Sequence, residues 1–275
     1  MKIWLTALVS FSVLSSASFV HADRLFATSN SNGLGLIEID PMTGVVRSVL
    51  ESPPRAVWDG LAFDGLYLWH LGLDANTLFK LDATTGETLD SFSLPETGFR
   101  AGLAHLDGLI YILDWSVLQQ DISVFDPTVG AIVDVLDFDG VNQDAPLLGN
   151  AGLAAISGPN ALLVNTAFTG EVIALDPTTG MITHRFDHDR TGGELGLAAV
   201  GGQIYLGANT SADIFVYDRQ GEQVGTITVP GSIGIQSLAG DDTARIPEPS
   251  TLCLLLVAAV VALGHARWRS GRTSP

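Results

Sequence analysis

The sequence predicts an all-β fold, a five-bladed β-propeller with terminal strand closure that occupies residues 23–245. Three observations predict it: a hairpin motif that occurs five times, a second marker that recurs in step with it, and partial units at the two ends that complement each other. A short apolar run lies between successive markers, and no helical period interrupts the pattern. Each unit therefore has the pattern of four short strands.

The hairpin motif is a β-rich run that ends in Asp and is followed by a turn that ends in Gly. Its five copies are Asp40-Pro-Met-Thr-Gly44, Asp82-Ala-Thr-Thr-Gly86, Asp126-Pro-Thr-Val-Gly130, Asp176-Pro-Thr-Thr-Gly180 and Asp218-Arg-Gln-Gly221. In such a turn the Asp side chain caps the backbone, Pro presets φ and Gly adopts a positive φ. These aspartates are therefore predicted to be structural, and not to be five metal sites.

The second marker is a Gly-Leu-Ala triplet. It occurs at Gly60-Leu-Ala62, Gly102-Leu-Ala104, Gly152-Leu-Ala154 and Gly196-Leu-Ala198, and Ser237-Leu-Ala239 stands in the fifth place. The aspartates that begin successive hairpin turns lie 42, 44, 50 and 42 residues apart. Four strands in a unit of this length are typical of a β-propeller blade.

The partial units at the two ends predict how the ring closes. The first unit, from Arg24 to Leu50, has three predicted strands and lacks the strand that carries the marker. The last marker, from Ile235 to Ala239, is a single predicted strand, and no further strands of a unit follow it. Together they make one blade, which leaves no open sheet edge at the ring closure. The alternative fold, a two-sheet β-sandwich, does not explain these matched halves.

The turn chemistry also resembles that of a known class of repeats. The strand–Asp-Pro-x-Thr-Gly–strand unit is similar to the hairpin of bacterial quinoprotein-type and related extracytoplasmic propellers. This resemblance extends over residues 24–242. It implies a fold and carries over no catalytic residues.

The first 22 residues have the pattern of a signal peptide. Lys2 precedes an apolar run from Ile3 to Leu14, and Val20-His21-Ala22 fits the small-x-small cleavage pattern. The mature chain is therefore predicted to begin at Asp23. The alternative, an N-terminal membrane anchor, would have an apolar run that is short for a span.

Residues 246–275 combine three features of an envelope-sorting tail. Pro247-Glu248-Pro249 is followed by an apolar run from Leu252 to Gly264, and then by a cluster of arginines, Arg267, Arg269 and Arg272. An apolar helix followed by arginines is predicted to stop in the inner membrane with the arginines on the cytoplasmic side. By itself this pattern also fits an ordinary tail anchor.

The order of these three features resembles the PEP-CTERM sorting signal of Gram-negative envelope proteins. The resemblance implies recognition and removal of the tail by an exosortase-type membrane enzyme, in bacteria that make exopolysaccharide. It thus implies a membrane-anchored intermediate, followed by the cell surface, the outer envelope or the extracellular matrix. Cys253, just inside the apolar run, departs from the small or aliphatic residue that is more usual there.

The domain between the two ends is strongly acidic. Residues 23–245 hold 9 Lys and Arg against 29 Asp and Glu, a formal net charge of −20. Such a charge disfavours nucleic acids and anionic lipid surfaces as partners. It favours divalent cations or basic partners, or serves solubility alone. Because Cys253 is the only cysteine, the domain has no disulfide, and its length is sufficient for a core without one.

One predicted ligand site lies at a mouth of the central channel. The residues two positions ahead of each marker Gly are Trp58, Arg100, Asn150 and Glu194, and Ile235 is the equivalent fifth residue. Asp59 and Gln236 lie beside them. An aromatic ring, a cation, an amide and an acid that converge in this way suit a sugar or a small polar ligand. The alternative is that these side chains only line a solvated channel.

Two loops are candidates for a metal. Asp137, Asp139, Asn142 and Asp144 place oxygen ligands around a Gly turn, as Ca²⁺ prefers, although the loop lacks the closing Glu of an EF-hand. The segment Asp187-His188-Asp189 would need further ligands to hold zinc or iron, so an exposed polar loop is the favoured interpretation. No other cofactor is predicted.

The sequence gives little support to catalysis. The domain has neither a cysteine nucleophile nor a Gly-x-Ser-x-Gly elbow, and His70 and His105 have no adjacent Ser and Asp partners. No catalytic residue is therefore assigned. A binding or structural role in the envelope or in the exopolysaccharide matrix is expected, and the alternative is a metal-dependent propeller hydrolase or lyase with its site at the channel mouth.

Overall fold

The computed structural model describes most of the chain between Asp23 and Asp242. The described residues are 23–29, 35–51, 60–72, 76–96, 99–116, 119–142, 152–158, 160–166, 169–188 and 194–242. The predicted signal peptide and the predicted sorting tail, with Pro247, Glu248, Pro249 and the three arginines, lie outside them. Within the described ranges, no helix is long and apolar enough to cross a membrane.

The strands group into five blades of four. Blade 1 contains β1 (Leu25–Ser29), β2 (Leu36–Ile39), β3 (Val46–Leu50) and β20 (Ile235–Gly240). Blade 2 contains β4 (Gly60–Phe63), β5 (Tyr67–Gly72), β6 (Thr77–Asp82) and β7 (Thr88–Ser93). Blade 3 contains β8 (Phe99–Leu106), β9 (Leu109–Ser116), β10 (Gln119–Asp126) and β11 (Ala131–Asp137), and a short helix, α1 (Phe138–Val141), follows it.

The last two blades have the same composition. Blade 4 contains β12 (Leu153–Ile156), β13 (Ala161–Thr166), β14 (Glu171–Leu175) and β15 (Ile182–Asp187). Blade 5 contains β16 (Glu194–Val200), β17 (Gln203–Ala208), β18 (Asp213–Tyr217) and β19 (Gln223–Thr228).

The blades form a ring around their innermost strands. Each blade is one antiparallel sheet, and blade 1 has the strand order β20-β1-β2-β3. The innermost strands contact each other in the order β4, β8, β12, β16, β20 and back to β4. The prediction of an all-β, five-bladed β-propeller is therefore confirmed.

Strand β20 closes the ring by pairing with β1. The pairing extends from Leu25, opposite Gly240, to Thr28, opposite Ser237. The hydroxyls of Thr28 and Ser237 lie 2.7 Å apart, so a buried side-chain hydrogen bond reinforces the backbone ladder. The predicted terminal strand closure is thus confirmed.

The turn aspartates have the structural role that the sequence predicts. Asp40 Oδ1 accepts the backbone N–H groups of Met42 at 3.0 Å and Thr43 at 2.9 Å, and Asp82, Asp126, Asp176 and Asp218 cap their turns in the same way. The hydrogen bond from Arg47, together with those from the backbone, lowers the pKa of Asp40 to about 2. Hydrogen bonds within the turn also lower the pKa of Asp82, Asp126 and Asp176, so these carboxylates, like Asp40, stabilise their hairpins in the ionised form.

The Gly that ends each turn also joins neighbouring blades. A Cβ on Gly86 would overlap the backbone of Glu51 at the end of blade 1, and a Cβ on Gly221 would overlap the ring of Phe186 in blade 4. At the ring closure, Gly44 of blade 1 meets the backbone of Thr228 in blade 5. The repeated turn thus fits against the outer strand of the preceding blade.

The apolar core lies between the blades. Between blades 2 and 3, Trp69, Phe92 and Phe125 form a cluster of rings with centroids 5.2 to 6.2 Å apart. The innermost strands carry small residues because they approach each other closely: a Cβ on Gly60 would overlap the carbonyl of Ala101 on the next innermost strand. Gly60 and Gly196 therefore allow adjacent innermost strands to approach closely.

Candidate functional site

The innermost strands of the ring all run in the same direction, so all of them begin at one mouth of the ring and end at the other. Each of them pairs antiparallel with the second strand of its blade. We call the mouth where β4, β8, β12, β16 and β20 begin the N-mouth, and the mouth where they end the C-mouth. The predicted ligand residues precede or begin these strands, so the prediction concerns the N-mouth.

Buried polar side chains concentrate toward the N-mouth. They come from the first residues of innermost strands and of a third strand, from the ends of second strands and from the loops that follow outer strands. They include Thr28, Ser29, Arg100, Asp114, Gln120, Asp121, Asn165, Thr166, His188, Gln236 and Ser237. Near the C-mouth, the buried polar groups of the described residues are the Asp242 carboxylate and the hydroxyls of Tyr111, Tyr205 and Tyr217. Since burial of polar groups is costly unless they are hydrogen-bonded, this asymmetry marks the N-mouth as the polar end of the ring.

Arg100 is the centre of one buried network at the N-mouth. Its Nε donates to Asp114 Oδ1 at 2.6 Å, its Nη1 to Asn76 Oδ1 at 2.9 Å and its Nη2 to the carbonyl of Pro95 at 2.8 Å. Asn76 and Pro95 flank strands of blade 2. The guanidinium therefore fastens blade 3 to blade 2.

Arg100 also begins a row of charges that crosses blade 3. Arg100 on β8 lies opposite Asp114 on β9. Asp114 in turn lies opposite Asp121 on β10, and Asp121 lies opposite Asp137 on β11. Directly opposite residues place their side chains on the same face of a sheet. One cation and three carboxylates thus share this face, and blade 3 is negatively charged at the N-mouth.

The structure brings some of the predicted ligand residues to the same mouth. Arg100, Glu194 and Gln236 each lie at the beginning of an innermost strand, and the Gln236 side chain is buried. Ile235 is fully buried in an apolar cluster, where it meets Gly207. Trp58, Asp59 and Asn150 lie outside the described residues, as does the side chain of Glu194. Their part in ligand binding stays a prediction.

Asn142 of the predicted calcium loop connects α1 to blade 4. Its Nδ2 donates to the carbonyls of Phe138 at 3.0 Å and Gly180 at 2.9 Å, and its Oδ1 accepts the N–H of Ile182 at 2.9 Å. Asp137 ends β11, whereas Asp144 and the side chain of Asp139 lie outside the described residues. Among the residues described, no group of three or more His, Cys, Asp or Glu is placed to hold a metal ion.

The interpretation of Asp187-His188-Asp189 as an exposed loop is wrong for His188. The His188 side chain is buried, and its Nε2 lies 3.0 Å from Asn165 Oδ1. Backbone pairing explains why this side chain is buried. The N–H of His188 donates to the carbonyl of Gly170 at 2.8 Å and extends the β14–β15 ladder by one residue. This places the imidazole beneath the N-mouth.

The central channel itself is narrow. The cavity between the innermost strands has a volume of about 90 Å³ and is lined by the Leu and Ala residues of the markers. Water occupies about 30 Å³ per molecule in the liquid, so the cavity has room for only a few water molecules. Ligand pockets usually measure about 300–1,000 Å³. The cavity is therefore smaller than a usual pocket for a small ligand.

Polar groups line the cavity at the C-mouth. His105, Asp107, Ser157, Asp241 and Asp242 contribute to its wall. Burial lowers the pKa of His105, and the nearby carboxylates of Asp64, Asp241 and Asp107 oppose this effect. The neutral imidazole is therefore favoured here.

The comparisons with known proteins concern the fold. No protein-family model matches the chain, and no curated protein matches it. Among solved structures, a chain in the crystal structure of a nidogen/laminin complex is similar, with a TM-score of 0.54 and 14% identity, over 79% of this chain and 97% of that chain. Glutaminyl cyclase from Myxococcus xanthus gives a TM-score of 0.46 and 18% identity, over 68% and 90%.

A third solved structure in this comparison is BamB from Moraxella catarrhalis. It gives a TM-score of 0.37 and 17% identity, over 75% of this chain and 61% of that chain. At these identities the likeness concerns the fold alone. The fold and its polar end define the class: a five-bladed β-propeller with a polar N-mouth.

Proposed function

We propose that this protein is an exported envelope protein whose propeller binds a polar ligand with the chemistry of a sugar at the N-mouth. The observation that carries the proposal is the concentration of buried polar side chains toward this mouth. Preformed sites with a few convergent polar groups are typical of small-ligand recognition. The cavity between the innermost strands, with a volume of about 90 Å³, is smaller than a usual ligand pocket, so we place the ligand at a mouth of the ring.

The two ends of the sequence support export and sorting. Residues 1–22 supply the export signal, and the tail with Pro247, Glu248, Pro249 and the arginines supplies the substrate of an exosortase-type enzyme. The partners proposed are this enzyme, exopolysaccharide and other envelope proteins. The net charge of −20 in residues 23–245 is unsuited to nucleic acid.

The charges at the N-mouth favour a neutral or basic ligand. Arg100 already binds Asp114, and Asp121 and Asp137 lie beside this pair, so the row across blade 3 carries excess negative charge. Trp58 would offer an apolar ring face to a sugar, and Gln236 an amide. Neutral and amino sugars fit this set, whereas acidic sugars are repelled.

Binding to an array of neutral, amino and acidic oligosaccharides tests the proposal. With the purified full-length chain we expect signals on neutral or amino sugars, reduced about tenfold or more by Trp58→Ala or Gln236→Ala, since lost stacking or hydrogen bonds at a site cost about 1–3 kcal/mol. The matched controls are Tyr67→Ala and Gln203→Ala, which remove an aromatic ring and an amide near the C-mouth.

Equal losses in the N-mouth variants and in their controls would contradict the proposal, and so would the absence of any loss in the N-mouth variants. Arg100 is not a suitable probe, because its replacement would loosen the interface between blades 2 and 3. Turnover of a bound glycan that is abolished by EDTA would instead identify a metal-dependent hydrolase or lyase.

A further inference from the structure

The chain crosses the C-mouth as it leaves the propeller. Asp242 lies two residues beyond β20 of blade 1, yet its side chain bonds to blades 4 and 5. Its Oδ1 accepts the N–H of Gly202 at 2.7 Å, and its Oδ2 accepts the N–H of Ser157 at 3.2 Å. The Asp242 side chain is 4% exposed, so these bonds are shielded from water.

Arg219 completes this network from the turn between β18 and β19. Its Nη2 lies 2.9 Å from Asp242 Oδ2, and its Nη1 donates to the carbonyls of Ser157 and Gly158, each at 3.2 Å. The hydroxyl of Ser157 donates to the main-chain carbonyl of Asp242. Three blades of the ring thus meet at one carboxylate.

We propose that Asp242 and Arg219 form a clasp that holds the closing strand β20 in the ring. Strand β20 is at the edge of its sheet and has a strand partner, β1, on one side only. A terminal strand held by one ladder frays readily. Hydrogen bonds between charged groups are stronger than neutral ones, so the clasp secures the strand at its C-terminal end, where the backbone ladder stops.

The clasp also fixes the point from which the tail departs. Nine residues lie between Asp242 and Leu252, the start of the apolar run, so a fully extended chain from one to the other spans at most about 35 Å. A tail held in a membrane therefore keeps the C-mouth near that membrane and presents the N-mouth away from it. This consequence rests on the proposed sorting, whereas the clasp itself does not.

Hydrogen exchange of the purified full-length chain, followed by mass spectrometry, tests the clasp. In Asp242→Ala and in Arg219→Gln we expect the amides of β20 and β1 to exchange about tenfold faster than in the wild type, since a hydrogen bond between charged groups contributes about that factor or more. The amides of blade 3 should keep their rates. The control is Arg47→Gln, which breaks the 2.8 Å Arg47–Asp40 pair within blade 1.

Unchanged exchange of β20, or equal acceleration in all five blades, would overturn the proposal. A control variant that loosens β20 as much as the clasp variants do would overturn it as well. If Asp242→Ala does not fold, Asp242→Asn keeps the shape and an acceptor oxygen but loses the ion pair, and it should give a smaller, equally selective acceleration. Because the readout is independent of ligand and sorting, its failure leaves the proposed function standing.

Discussion

At the residue scale, each turn aspartate acts through hydrogen bonds from the backbone. Asp176 Oδ1 accepts the N–H groups of Thr178 at 2.8 Å and Thr179 at 3.0 Å, and these bonds lower the pKa of Asp176. Backbone bonds from Thr85 and Thr84 lower the pKa of Asp82 in the same way. The same residue type at the same place in each repeat thus has one physical role, and the sequence alone was sufficient to predict it.

These lowered pKa values predict a loss of stability in acid. A folded-state pKa below the ordinary 3.8 means that the ionised carboxylate stabilises the fold. This contribution is complete above about pH 4 and is lost as the pH falls through the lowered pKa, which is about 2 for Asp40. In Asp176→Asn the cap no longer titrates, so urea unfolding should show a shallower fall of the free energy of unfolding as the pH drops below about 4.

The matched control for this experiment is Asp134→Asn, which removes an exposed carboxylate of β11 outside the turns. If Asp176→Asn and the wild type lose stability in parallel as the pH falls, the turn carboxylates do not have the role described here.

The turn glycines predict a second effect at the residue scale. Gly86 and Gly108 both have a positive φ, 81° and 83°, but a Cβ on Gly86 would meet the backbone of Glu51, whereas a Cβ on Gly108 would meet open space. Gly108→Ala should cost about 1–2 kcal/mol through φ alone. Gly86→Ala should cost about 1–3 kcal/mol more because it forces the blades apart. Thermal unfolding measures both, and equal losses would show that the turn does not join the blades.

The sequence could not predict this second role of the glycines. A turn motif specifies a positive φ, whereas the neighbour that fills the space beside it comes from the preceding blade, about 35 residues earlier for Gly86 and Glu51. The burial of His188 was missed for a similar reason, since it depends on one additional residue of ladder pairing with Gly170.

At the element scale, the Arg100–Asp114 pair ties two blades together. Arg100→Met keeps a long apolar stem but leaves the largely buried Asp114 without its cation, so we expect a loss of about 3–5 kcal/mol in the free energy of unfolding. The control is Arg47→Met, which breaks an exposed pair and should cost about 1 kcal/mol or less. Urea unfolding at neutral pH distinguishes them, and a loss in Arg100→Met no larger than that of the control would contradict this role.

The hairpins of each blade were predictable, but the row of charges across blade 3 was not. Apolar runs, turn chemistry and marker spacing identify the elements because these signals are local. The alignment of Arg100, Asp114, Asp121 and Asp137 depends on register across four strands. Two of these pairings contain register shifts, between Arg100 and Leu103 and between Val124 and Phe125, and a count along the sequence does not locate them.

At the scale of the whole molecule, ring closure explains why blade 1 contains strands from both ends of the propeller. Because β20 pairs with β1, the first and last strands of the propeller complete the same sheet. The clasp at Asp242 adds a second closure at the C-mouth. The proposed clasp thus holds the ring at the end from which the chain departs, and the proposed ligand site lies at the opposite mouth.

We propose that this ring is the working part of an exported and sorted envelope protein. The most direct test is the intact mass of the native protein recovered from the envelope, with sequencing of both terminal peptides. We predict a chain that begins at Asp23 and ends near Pro247, with any additional mass due to attached glycan or lipid. A native chain that still ends at Pro275 would contradict the sorting and would leave a propeller tethered by its tail.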